Sequence, residues 1–249
     1  MVTGASKGIG RAVAVAFAER GDRVAVHYVR DAEGAERTRT LLPGEGHVVV
    51  RADLGEQEAA PQMTAEVVRS LGGIDVLVNN AGVAPSPANR HTVTETDLPD
   101  WQRVWRHMID VNLLGAAALT HQVARHFIDR SASGRVIMIG SRGAFRGEPE
   151  FPAYAASKAA LHAFAQSMAV ALAPHDIAVT AVAPGFVGTE RQAEKLAGPD
   201  GETVRAQSPF GRVGTPEEVA AAVLYLASPE ATWAAGTVLD LNGASHLRT

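Results

Sequence analysis

The chain predicts an α/β fold in which one parallel sheet is wound on both faces by helices. Three observations carry that expectation. Short apolar runs alternate with longer helical stretches along the whole length, the pattern of repeated βα units. Those runs are apolar at nearly every position, as strands buried on both faces must be. A glycine-rich segment, Thr3-Gly4-Ala5-Ser6-Lys7-Gly8-Ile9-Gly10, stands immediately before the first helical pattern. In such folds a turn at that place lets a backbone approach an anion at a helix N-terminus.

The elements follow in order. The strand feeding the glycine segment should be about five residues long, yet only Met1-Val2 precede Thr3. Either that strand is a stub or the chain begins later than its natural start. A helix is expected over Ile9–Arg20, closed by Gly21 as C-cap. Strands are expected at Val24–Tyr28 and Val48–Arg51, then a helix over Glu56–Leu71 ending at Gly72-Gly73. Ile74–Val78 is the next strand, and Trp101–Ile128 reads as one long helix. Val136–Ile139 precedes an alanine-rich helix, Ala153–Ala173, stopped by Pro174. After the strand Ile177–Val182, Thr215-Pro216 reads as an N-cap with proline at the first helical position, opening Glu217–Ala227. Val238–Leu241 is the last strand. With the feeding strand this makes about seven parallel strands. No linker, repeat or low-complexity tract interrupts residues 1–249, so a single domain is expected. Two excursions, 84–99 and 185–210, lie where α/β sheets carry their sites.

Composition narrows the function. Of 249 residues, 46% are hydrophobic and 20% charged, with net charge −4, so the chain can bury a substantial core. The charge balance and the lack of a long basic run argue against a nucleic-acid partner. There is no cysteine, which excludes disulfides and thiolate metal sites, and the histidines make no metal-like pattern with carboxylates. No apolar run reads as a membrane span, and no signal-like segment opens the chain. A cytoplasmic enzyme, free of membrane, is the expected setting.

The chemistry concentrates in three places. Tyr154 and Lys158 stand at i and i+4 of a helical run, so phenol and ammonium share one face. Ser141 lies thirteen residues upstream of Tyr154, just past a strand. A cation beside a phenol favours phenolate, and a tuned tyrosine can exchange a proton with a carbonyl or alcohol. Lysine in a buried helix is costly unless paired or hydrogen-bonded; the plain alternative is a lysine snorkelling to solvent. Asn79-Asn80-Ala81-Gly82 follows a strand and suits a surface facing a ribose, or simply an Asx turn. Asp53 follows another strand, where it would accept from an adenine amino group or cap the next helix. Asn112 is a poor mid-helix residue and marks either a kink or a site. Trp101 and Trp105 read as a packing pair. Arg90, His91, Arg142 and Arg146 would meet an anionic or polar substrate, or equally solvent.

Taken together, these pieces resemble the short-chain dehydrogenases/reductases of about 250 residues, a Rossmann-like family. The resemblance runs from Thr3 to about Gly243 through TGASKGIG at 3–10, Asp53-Leu54, NNAG at 79–82, Asn112, Ser141, YAASK at 154–158 and Pro184-Gly185. It is nearest to 3-oxoacyl-acyl-carrier-protein reductase-like and carbonyl-reductase-like members. The resemblance implies Tyr154 as general acid in reduction and base in oxidation. It implies Lys158 as the cation that lowers the tyrosine pKa and holds the nicotinamide ribose, Ser141 as a hydrogen-bond donor to the substrate oxygen, and Asn112 as the anchor of a water relay. Gly4, Ser6, Lys7, Gly8, Ile9, Gly10, Asp53, Leu54, Asn80, Ala81, Gly82, Pro184, Gly185, Val187 and Thr189 would contact the dinucleotide. Asn242-Gly243-Ala244 departs from the Asp-Gly-Gly that members often carry there.

Cofactor choice follows from charge. NAD-linked relatives usually end the second strand with a carboxylate; here Val24–Tyr28 has none before Asp31. With Lys7 and Arg30 as cations, NADP(H) is expected to be preferred, with NAD(H) as the alternative. The reaction implied is carbonyl/secondary-alcohol interconversion on a small-molecule substrate. The alternatives are an NAD-linked alcohol dehydrogenase and a catalytically idle dinucleotide sensor. An intact Ser, Tyr, Lys and Asn set argues against the sensor. Asp176 opposes the basic patch that an acidic carrier protein would want at Arg125, Arg130 and Arg135. The all-round apolar 153–173 helix predicts burial on every side, hence a homo-oligomer; the resemblance implies a homotetramer, with the 101–128 helix completing a four-helix contact across a two-fold axis.

Overall fold

A computed structural model describes residues 1–248. Six strands form the sheet: β1 Ala25–Tyr28, β2 Val48–Arg51, β3 Val76–Asn79, β4 Gly134–Ile139, β5 Ile177–Pro184 and β6 Val238–Leu241. All pairings are parallel, β1 with β2 and then β3-β4-β5-β6 in line. The expected count of about seven is therefore corrected to six, and the reason lies at the N-terminus. Val2 bridges Val26 on one side and Val78 on the other. Its N–H donates to Ala25 O at 3.0 Å, and its carbonyl accepts from His27 N–H at 3.1 Å. The feeding strand is thus present as one bridge residue, Val2, flanked by backbone bonds of Met1 and Thr3 to β3 and of Ala5 to β1. The sheet order is β2-β1-Val2-β3-β4-β5-β6.

Alternation along the strands sends side chains to two cores, one on each face. Val136 and Met138 of β4 pack with Met63, Leu119, Phe127 and Leu161. Ile137 and Ile139 pack on the other face with Val13, Phe17, Val223 and Leu226. The first core is covered by α3 (Ala59–Leu71), α5 (Ala116–Asp129) and α6 (Pro152–Leu172); the second by α1 (Gly8–Glu19) and α9 (Pro216–Leu226). The fold is a doubly wound α/β layer structure.

Two departures from the sequence reading matter for the site. A helix over Ala32–Leu41 (α2) packs on β1 although its buried residues are only Gly34, Ala35 and Thr38; it has no apolar stripe to announce it. The long helix expected over 101–128 is two, α4 (Leu98–Ile109) and α5, joined by a π-helical turn over Asp110–Gly115. Such turns insert a residue and often mark functional positions. Gly115 is required there, because a Cβ would lie 2.4 Å from Leu54 O. Two short helices, α7 (Ala193–Ala197) and α8 (Gly201–Arg205), occupy the 185–210 excursion.

Candidate functional site

The site forms at the carboxyl ends of the strands. Thr3, fully buried, pins the glycine loop to the end of β3: its Oγ1 accepts from the N–H groups of Asn80 and Ala81, both at 2.9 Å. Asn80 Nδ2 donates to Thr3 O at 2.8 Å and to Gly4 O at 3.0 Å. The Asn80 amide nitrogen therefore braces the loop. Gly4 and Gly8 have φ of +61° and +57°, where only glycine is unstrained. A Cβ at Gly10 would lie 2.3 Å from Gly4 O. Ile9 packs from α1 against the second core, and Ser6 is buried in the loop.

Two residues that the sequence reading passed over hold this loop. His27 of β1 is fully buried. Its Nδ1 accepts from Gly4 N–H at 3.0 Å, and its Nε2 faces Ala52 O at 2.9 Å. The pairing assigns the proton to Nε2. Burial, the largest influence, pulls its pKa below the usual histidine value. Thr38 Oγ1 donates to Ala5 O at 2.9 Å and accepts from Arg11 Nε at 3.0 Å. A buried histidine inside an apolar strand was the available signal for the first; nothing signalled the second.

The adenosine end is partly polar. Lys7 Nζ lies 3.9 Å from Asp31 Oδ2, both half-exposed. Asp31 Oδ1 caps α2 by accepting from Gly34 N–H at 2.9 Å. Arg30 is exposed. Asp53 does not cap the following helix; its Oδ1 accepts from Gly55 N–H at 3.0 Å in a local turn. Leu54 is buried against Gly115.

At the other end, Pro184 closes β5, and Gly185 N–H donates to Leu241 O at 2.9 Å. A Cβ on Gly185 would meet Asn242 Cα at 2.9 Å. Val187 bridges Gly214. Thr189 stands against Gly8 and carries a buried Oγ1 with no partner. Its neighbour Glu190 accepts from Gly8 N–H at 3.0 Å and from Arg11 Nη1 at 2.9 Å, tying the 185–210 segment to the glycine loop.

Between these ends lie the candidate catalytic groups. Ser141 ends the segment leaving β4, and its Oγ accepts from Gly143 N–H at 3.0 Å. Tyr154 and Lys158 come from α6. The α6 N-terminus is held by His91, whose Nε2 accepts from Ala153 N–H at 3.0 Å while Nδ1 meets Asn89 O at 2.7 Å. His91 is fully buried, which corrects its reading as a substrate-facing group. Lys158 is 5% exposed. Its Nζ donates to Ile139 O at 2.8 Å, so it does not snorkel. Burial, with Arg191 adding, pulls its pKa down to about 8. Tyr154 moves the other way from expectation. Burial raises its pKa, and a hydrogen bond with Ser141 draws it only partly back. The desolvation of the phenolate outweighs its stabilisation.

Asn112 sits in the π-helical turn, buried. Its Oδ1 accepts from Val83 N–H at 2.6 Å; its Nδ2 donates to Val83 O at 3.1 Å and to Ser157 Oγ at 3.0 Å. Ser157 Oγ donates to Tyr154 O at 2.8 Å. Asn112 thereby joins the segment after β3 to the helix that bears Tyr154. A Cβ on Gly82 would lie 3.0 Å from Asn112 Oδ1 and 3.5 Å from Lys158 Nζ, so glycine leaves that cradle open. The unpartnered Thr189 hydroxyl, the open cradle at Gly82 and the tight glycine turn at the N-terminus of α1 fit a nicotinamide dinucleotide laid across the strand ends.

Comparison with known proteins agrees. Residues 4–246 match a family model described as enoyl-(acyl carrier protein) reductase. The chain is 38% identical over 251 residues to 3beta-hydroxysteroid dehydrogenase 1 of Eggerthella lenta, covering 99% of this chain and 93% of that one. It is 33% identical to versicolorin reductase 1 of Aspergillus parasiticus, covering 98% and 95%. The crystal structure of a dehydrogenase/reductase from Sinorhizobium meliloti superposes with a TM-score of 0.87 at 33% identity, covering 99% and 94%. A short-chain dehydrogenase from Burkholderia cenocepacia in complex with NADP gives 0.85 at 30% identity, covering 98% and 96%. The chain therefore belongs to the short-chain dehydrogenase/reductase family, and is an oxidoreductase of it.

Proposed function

We propose that this protein interconverts a carbonyl compound and a secondary alcohol with NADP(H). The observation that carries the reading is the placement of half-buried Tyr154 in hydrogen-bond reach of Ser141, with buried Lys158 one helical turn on and beside the Gly82 cradle. A bound nicotinamide supplies or accepts the hydride. Tyr154 gives its proton to the carbonyl oxygen during reduction and retrieves it in oxidation. Ser141 donates a hydrogen bond to that oxygen. Lys158 sets a positive charge behind the phenol, favouring the phenolate that proton transfer leaves. Asn112, through Ser157, holds the turn of α6 that carries Tyr154.

The NADP(H) preference is supported by the absence of a carboxylate ending β1 and by the exposed cations Lys7 and Arg30. Asp31, 3.9 Å from Lys7, favours the NAD-linked alternative, but its carboxylate is engaged in capping α2. Small ketones are the proposed substrates ahead of carrier-linked thioesters. Arg125 is paired with Asp129 and Arg130 with Asp75, so that only Arg135, bonded to the neutral Gly134 O and Thr232 Oγ1, keeps its charge without a carboxylate partner among the three. A cytoplasmic homotetramer is proposed, supported by the exposed apolar residues Leu114 beside α5 and Val170 on α6. Among the described residues no helix is long and apolar enough to cross a membrane.

Tyr154→Phe tests the assignment. Turnover of a ketone panel should fall about 10²–10⁴-fold, with nucleotide affinity nearly unchanged. Turnover close to wild type would sink the role. Nucleotide binding by the wild type without turnover of any ketone would favour the idle sensor.

A further inference from the structure

One cation next to the site lacks a charged partner. Arg142 follows Ser141 and is 7% exposed. Its Nη1 donates to Ser245 Oγ at 2.5 Å and its Nη2 to Gln207 Oε1 at 2.8 Å. Both acceptors are neutral. The nearby carboxylates Glu148 and Glu218 are engaged elsewhere, with Arg146 at 3.7 Å and Arg212 at 2.6 Å. A guanidinium stays charged when buried, and an uncompensated buried charge is costly.

Arg142 faces a cavity of about 410 Å³ beneath the 185–210 segment, walled by Phe186, Val204, Phe210, Val219 and Leu241. That volume is in the range of small-molecule sites. Arg212 and Glu218 also line it, but their contacts of 2.9 and 2.6 Å cancel their charges. The cavity is therefore apolar with one uncancelled positive charge at its wall. Phe210, 75% exposed, stands at its rim.

We propose that this cavity is a binding subsite for a monocarboxylate bearing an apolar chain, with Arg142 holding the carboxylate. A guanidinium fork matches a carboxylate in plane, and its remaining N–H donors would form charge-assisted bonds. The apolar walls would take the chain and give the site its preference over inorganic anions.

The test is calorimetric binding of octanoate and its neutral counterpart octanamide to the full chain. Octanoate should bind roughly 10–100-fold more tightly, because only the carboxylate brings the guanidinium an opposite charge and a second acceptor oxygen. Arg142→Gln should erase that difference, and Arg142→Lys should keep part of it. Val204→Trp, which fills the cavity and leaves the arginine, should abolish octanoate binding. Equal affinity for the two ligands in the wild type would overturn the proposal, even if the arginine variants fail to fold. So would octanoate binding that survives both Arg142→Gln and Val204→Trp. The readout is binding alone, so it stands whether or not the protein turns over a ketone.

Discussion

His27→Leu removes the imidazole that joins the glycine loop to the end of β2. Two part-buried groups lose their partners: Gly4 N–H, which donates to Nδ1 at 3.0 Å, and Ala52 O, which faces Nε2 at 2.9 Å. An abandoned group costs about 1–3 kcal/mol when fully buried; both of these are part-buried, so stability should drop by roughly 2–3 kcal/mol in all. The half of that loss located at Gly4 falls on the nucleotide seat, and we expect about tenfold weaker NADPH binding. His27→Asn places an acceptor near the Nδ1 position but cannot reach Ala52. It should recover most of the affinity and only part of the stability. Urea unfolding reads the first quantity and nucleotide fluorescence titration the second. Acid adds an independent arm. The unfolded chain protonates this histidine near 6.5, while the folded protein resists, its pKa being lowered. The contribution to stability is thus whole above about 6.5 and is lost progressively as pH falls below it. Once protonated, Nδ1 turns an N–H toward the Gly4 N–H, so nucleotide affinity should fall in the same direction. A His27→Leu protein with stability and affinity within about 0.5 kcal/mol of wild type would refute the reasoning.

Asn112→Ala strands Val83 N–H and frees Ser157; it should cost about 2–4 kcal/mol in urea unfolding and lower kcat more than it raises KM. Reduction should weaken as pH rises through about 8, where Lys158 loses its charge, and the kcat/KM profile of Lys158→Met should lack that limb. The fold should not weaken with it: between about 8 and 10.5 the folded lysine has released a proton that the unfolded chain keeps, so its contribution to stability rises with pH. Lys7→Ala combined with Arg30→Ala should cut kcat/KM for NADPH about 10–100-fold and spare NADH; a wild type that clearly prefers NADH would refute the cofactor reading.

The fold class was legible because β4 and β5 are apolar at nearly every position and separated by a helix of the expected length. The sheet's faces, the glycine turn and the i, i+4 pair of α6 all follow from periodicity. What escaped did so for physical reasons. α2 buries only Gly34, Ala35 and Thr38, with no large apolar side chain to mark its inner face. A π-helical turn adds one residue without disturbing the apolar pattern on either side, and only the misplaced amide of Asn112 hinted at it. The direction of the Tyr154 shift depends on how completely the phenol is desolvated, which spacing along a helix does not encode. Likewise, the fate of Arg142 and His91 is set by residues up to a hundred positions away, such as Ser245. A local reading cannot distinguish a capping histidine from a substrate-facing one.

The single bridge at Val2 has a consequence for motion. In most sheets of this kind the central strands exchange their amide protons most slowly, because both neighbours protect them. Here the middle of the sheet is a seam only a few residues long, with β2-β1 on one side and β3-β4-β5-β6 on the other. The chain crosses that seam again through the Thr3 and Asn80 contacts, at the place where the glycine loop receives its ligand. The two parts of the sheet are therefore joined through the first five residues, whose backbone bonds to β1 and β3 end where the cradle lies. Ligand bound across it would act as a clasp, slowing the opening of the sheet's centre more than that of its edges.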